Sequence, residues 1–193
     1  MGLASLVLGM VLFLATHLFA RSQVWRPALI ARLGKTTYRI LFSIVSIGIL
    51  ALIVYGFALY RAEEWVDVWY PPLAMRHITL ALMLPAVILL FAAFLPGHIR
   101  TWTRYPAVLA VKIWAFAHLL ANGDLGSIIL FGGFLAWAVI ARIMLKRRPP
   151  AEANDNDGGW FNDGLAIVLG VVAYAALGFV FHPVVIGVPV FGG

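Results

Sequence analysis

The residues of this chain best suited to chemistry are its five histidines, His17, His77, His98, His118 and His182. His118 lies in the stretch 112–132, KIWAFAHLLANGDLGSIILFG: an apolar helix, a polar turn at Asn122, Gly123 and Asp124, and a second apolar helix. An imidazole in such a helix needs a partner or a ligand, because hydrocarbon offers it no hydrogen bond. As a ligand, imidazole suits zinc, copper and haem iron. Zinc asks for three or four close nitrogen or oxygen ligands. Haem iron needs one or two histidines on separate helices and an apolar slot. The bland alternative for any single ring is a hydrogen bond to a neighbouring helix.

Other groups narrow the chemistry. The chain has no cysteine, which excludes disulfides, thiolate zinc sites, iron–sulfur clusters and covalent haem attachment. It carries no phosphate-binding loop and no dinucleotide fingerprint. Any cofactor is therefore held noncovalently, by histidine. Lys112 sits six residues into its helix and reads as a side chain that snorkels to the interface. Arg21 follows His17 by four residues on the same helical face, either to pair with a propionate or phosphate or to serve as a basic anchor. Asp124 reads as the cap of the helix that follows it.

These side chains must be positioned by membrane helices. The sequence is 63% hydrophobic and only 11% charged, with a mean hydropathy of +0.98; a soluble domain of this size has no use for that much apolar surface. Apolar runs predict spans over 3–20, 40–60, about 77–95, 106–122, 125–141 and about 164–181. The first lacks the basic leader of a signal peptide and reads as a retained helix. Pro85 predicts a kink in the third span. Residues 21–39 read as a short surface helix or loop, and Trp65, Trp69 and Tyr70 as an interfacial belt. Within a single domain 1–193, residues 149–163 read as a flexible cytoplasmic linker. Pro183 and Pro189 are expected to stop the tail from continuing as a helix.

Loop charge sets the orientation. The segments 21–39, 97–104 and 142–148 hold eleven of the fourteen Lys and Arg residues. The positive-inside rule then places both termini outside. The expectation is an all-α, polytopic transmembrane bundle of about six helices, N-out and C-out, with the lipid bilayer as its partner. The net charge of +6 is thus topological and implies no nucleic-acid binding, which needs a soluble basic face. Straight-helix arithmetic places His17 about 22 Å below the outer start of its helix and His118 about 18 Å up from the cytoplasmic side. His77 and His182 fall at the outer boundary. Depth therefore groups His118 with His77 and His182 and leaves His17 deeper, although tilt can close that gap.

The segment WAFAHLLANGDLGSIILFGGFLAWAV resembles the signature of the NnrU family, membrane proteins associated with nitrite and nitric oxide respiration in denitrifying bacteria. The resemblance extends to LFLATHLF around His17, GKTTYRILFSIVSI at the second span, and HPVVIGVPV with His182. The same superfamily includes the 15-cis-zeta-carotene isomerase, a haem b enzyme. The resemblance implies a bacterial inner-membrane protein that binds haem b noncovalently, with His17 and His118 as axial ligands. His77, His182 and Arg21 stand as further cofactor-binding candidates. A haem-dependent cis–trans isomerase acting on a lipophilic polyene is one alternative it opens. A non-catalytic membrane assembly or transport component is the other. Where the family carries Arg-His-Pro, this chain has Arg104-Tyr105-Pro106, which removes a third histidine from consideration as a ligand.

Overall fold

The computed structural model describes residues 1–147 and 159–191. They form eight α-helices: α1 (Gly2–Phe19), α2 (Trp25–Leu33), α3 (Lys35–Glu63), α4 (Leu73–Ala92), α5 (His98–Thr103), α6 (Pro106–Ala121), α7 (Leu125–Lys146) and α8 (Gly159–Ala176). A π-helical extension, Leu177–Ile186, continues α8. Five helices are long and apolar enough to cross a membrane: α1, α3, α4, α7 and α8 with its extension. The sixth apolar helix, α6, is 16 residues long and reaches about 24 Å at 1.5 Å per residue. Their outward faces are apolar, as a bilayer requires; Ile44, Ile47 and Val54 on α3 and Val172 on α8 are all exposed.

Several boundaries differ from the sequence reading. The short surface helix expected in 21–39 is present as α2, but residues 35–39 already belong to α3; Gly34 at φ 80° both ends α2 and opens α3. That left-handed conformation carries no steric penalty in glycine. The helix α4 runs through Pro85, in keeping with the single third span expected there, but starts earlier, at Leu73. The last helix opens at Gly159, so residues 159–163 are helical, while 148–158 lie outside the described residues. Pro183 does not stop the tail. It sits inside the π-helical extension, where hydrogen bonding five residues back changes the register that proline disrupts in an α-helix.

The chain forms two compact units, each discontinuous in sequence: Met1–Pro71 with Asn122–Leu145, and Pro72–Ala121 with Lys146–Gly193. In the first unit α1 and α3 pack at very close range. A Cβ on Gly9 would press on Ile53, and one on Gly56 would meet the backbone of Ser5 and Leu6. Small residues permit such approach, the main source of attraction between helices in lipid. Leu6, Met10, Ile49 and Ile53 form the core of this seam. Glu64 caps α1 from the far end of α3, accepting from the N-terminal ammonium and from the N–H groups of Gly2 and Leu3.

The loop after α3 is tied to the turn before α7. The N–H groups of Val68 and Trp69 donate to the Gly123 carbonyl, and Leu125 N–H donates to the Val66 carbonyl. Asp124 is buried and accepts from the N–H of Ser127 at 2.9 Å, capping α7 as the sequence suggested. On the exposed side of the loop, Asp67 accepts from Trp65 Nε1 at 2.7 Å and from the Tyr70 hydroxyl at 3.2 Å. The Asp67 carboxylate holds the Tyr70 phenol above its ordinary pKa, through its charge first and this hydrogen bond second. In the second unit α4 packs on α6 and α8 through small buried residues, among them Ala86, Ala92, Ala110, Ala117 and Ala166. Thr79 Oγ1 donates to the Ala117 carbonyl at 2.7 Å, and the Tyr174 hydroxyl to the Leu80 carbonyl at 3.1 Å.

Candidate functional site

The second unit brings two of the expected site residues together. His118, near the end of α6, and His182, in the π-helical extension, have ring centroids 6.3 Å apart and planes inclined by 24°. Each is fixed by its own helix. His118 Nδ1 lies 2.9 Å from the Trp114 carbonyl, one turn back. His182 Nδ1 lies 2.8 Å from the Leu177 carbonyl, five residues back, as π-helical winding allows. The ring of Trp114 flanks His118 at 5.4 Å. On its far side His182 is anchored by backbone: its carbonyl accepts from the N–H groups of Gly187 and Val188. Arg76 then holds the tail by donating to the Pro189 carbonyl at 2.8 Å.

His17 belongs to the first unit. Its Nδ1 lies 3.1 Å from the Phe13 carbonyl and 3.3 Å from Thr16 Oγ1. Phe13 stacks on the ring at 4.1 Å, and Phe42 and Trp137 approach it edge-on at 5.3 and 6.1 Å. Among the described residues, three side-chain groups of the same unit are buried without a hydrogen-bond partner, the Tyr38 and Ser46 hydroxyls and Trp137 Nε1. The Arg21 guanidinium lies 5.3 Å from the centre of the Trp137 ring, a cation–π contact.

The remaining candidates are placed differently. His77 is exposed in the first turn of α4, and Lys112 is exposed on α6. His98, which the sequence left in a loop, begins α5 and is bound to Asp163 of α8. Asp163 Oδ2 accepts from the His98 N–H at 3.0 Å and from its ring nitrogen at 2.8 Å, while Oδ1 accepts from Ile99 N–H at 2.9 Å. Trp160 stacks on the His98 ring at 4.3 Å. Nothing near either residue in sequence announces this pair, because the partners are 65 residues apart.

One rule covers His17, His118 and His182. A backbone carbonyl accepts only, so each Nδ1 facing one carries the proton. That contact fixes the tautomer and orientation of each ring, as it does in metal-bound histidines. Among the described residues no group of three or more acidic, cysteine or histidine side chains is arranged to hold a metal ion. A bare divalent ion would be under-ligated by two imidazoles. An iron already held by four macrocycle nitrogens needs only one or two. The donor set therefore fits a haem better than a free ion.

No curated protein and no solved structure matches the chain. The sequence profile of one family, described as NnrU protein, matches residues 5–190. That range includes all five histidines, both compact units but for their extreme ends, and every apolar helix. The chain belongs to the NnrU family of membrane proteins.

Proposed function

We propose that this NnrU-family protein spans the bacterial inner membrane six times, N-out and C-out, binds haem b noncovalently through intramembrane histidines, and supports nitrite and nitric oxide metabolism. The observation that carries the haem assignment is the shared state of His17, His118 and His182. Each turns Nδ1 to a carbonyl of its own helix, the contact that orients metal-bound histidines. His118 is the ligand on which the family resemblance and the histidine geometry agree. A haem held there would supply a redox-active iron, and the part of the chain would be to keep it from water and to fix the orientation of His118 through the Trp114 carbonyl. The link to nitrite and nitric oxide rests on the family resemblance. The orientation rests on the charge asymmetry of the loops, with α6 as the sixth span.

The deciding experiment is a reduced-minus-oxidised absorption spectrum of the detergent-purified protein after expression with ample haem. A Soret band and a reduced α band, removed by His118→Ala, support the assignment. A colourless wild-type protein overturns it.

A further inference from the structure

The end of the second unit that carries α5 gathers three rings. His98 stacks on Trp160 at 4.3 Å, and Trp102 lies 5.9 Å from His98 and 6.2 Å from Trp160. Packing has not buried them. Trp102 and Trp160 are each 71% exposed, and Phe161, next to Trp160 in sequence, is 78% exposed. Exposed apolar surface of this kind marks a contact with a partner or a membrane. The headgroup layer of a bilayer is where tryptophan is enriched.

The imidazole among these rings is held from one side. Its Nδ1 lies 2.8 Å from Oδ2 of the buried Asp163 carboxylate. The His98 side chain keeps 32% of its surface exposed, and among the described residues its Nε2 has no hydrogen-bond partner. Charge completes the pattern. Arg100 on α5 and Arg104 just after it are exposed, and among the described residues neither is engaged in an ion pair. The six residues of α5 span about 9 Å, comparable with the Debye length at physiological salt. Asp163 does not cancel these charges at the surface, because it is turned inward onto three donors of His98 and Ile99.

We propose that this end of the second unit binds an anionic phospholipid, whose phosphate accepts from His98 Nε2 while Trp102 and Trp160 lie beside it in the headgroup layer. Both nitrogens of an imidazolium are donors, so one ring serves Asp163 through Nδ1 and the phosphate through Nε2. Asp163 balances the ring from behind, and the phosphate balances the arginines in front. The ligand is a lipid and not a free anion, because inorganic phosphate offers the exposed indoles no apolar neighbour. The proposal rests on the membrane setting of the helices and is independent of the haem reading.

The test titrates the full chain, purified in neutral detergent, with phosphatidylglycerol or with phosphatidylcholine of the same acyl chains. Native mass spectrometry reads the bound lipid. The wild-type protein should prefer phosphatidylglycerol by about fivefold or more, the effect of one well-placed charge near a headgroup. His98→Asn keeps an amide at the place of Nδ1, and with it the bond to Asp163, but has nothing at Nε2. It should lose that preference while its phosphatidylcholine binding and melting temperature stay at wild-type values, which a merely structural role would not give. Arg100→Gln, which leaves the Asp163 contact untouched, should weaken phosphatidylglycerol binding by about fivefold. Equal wild-type affinity for the two lipids overturns the proposal, as does a wild-type preference in folded His98→Asn. Where that variant does not fold, a wild-type preference in Arg100→Gln overturns it. Displacement of the lipid by millimolar inorganic phosphate would reveal a free-anion site and overturn the lipid assignment.

Discussion

Asp163 caps a helix that begins 65 residues earlier, at His98: one carboxylate takes two backbone N–H groups of α5 and the imidazole of its first residue. Asp163 is only 5% exposed, and its removal leaves two backbone N–H groups of α5 without their acceptor. Asp163→Ala should cost about 2–3 kcal/mol of stability, and Asp163→Asn, which keeps one acceptor, clearly less. Thermal unfolding in detergent measures both. A wild-type melting temperature for the alanine variant would show that the cap contributes nothing.

The seam between α1 and α3 makes a sharper contrast. Gly56 has no room for a Cβ against Leu6, whereas Gly48 on the same helix has nothing within 4 Å. Gly56→Ala should destabilise by about 1–3 kcal/mol through overpacking, and Gly48→Ala should not destabilise. Equal melting temperatures for the two variants would mean that the seam is loose.

Tyr70 offers a pH readout outside the membrane-spanning helices. The Asp67 carboxylate favours the neutral phenol and raises its pKa. The contribution of this pair is full below the ordinary tyrosine value and is lost as pH rises through the higher folded one. Asp67→Asn should therefore move one tyrosinate transition to lower pH in an ultraviolet difference titration. No displacement would show that the pair does not persist in solution.

Orientation can be read with fusions. A reporter active only in the cytoplasm should give signal when joined after Arg148 and none when joined after Gly193, because the proposed orientation keeps the basic cluster 146–148 inside. Signal from the C-terminal fusion would overturn the N-out and C-out arrangement or the count of six spans.

The helices and the histidines were legible because both signals are local. A long apolar run identifies its own helix, and a titratable ring inside one stands out against its neighbours. Asp124 as a cap was legible for the same reason, since its partner, Ser127, is three residues away. The tie between His98 and Asp163 was hidden by distance along the chain, and Asp163 itself read as the end of a polar linker. The tail failed for a different reason. Proline is a sound stop signal for α-helix, yet Pro183 sits in a helix of another period. The pairing of His118 with His182 was half visible: helix arithmetic put them at similar depth, but the turn that aims His182 leaves no mark in composition.

The interleaving of the two units bears on how the protein is made. Residues 1–71 wait for 122–145, and 72–121 wait for the chain beyond 146. A ribosome that has delivered α1 to α6 has completed neither unit. Gly126, whose added Cβ would strike the ring of Tyr60, shows how closely the late helix α7 seats on the early helix α3. Threading into the bilayer and final packing are thus separated in time, and truncation after residue 121 leaves two unfinished halves in place of one finished domain. His182, the last of the five histidines to emerge, meets His118 only when the second unit closes.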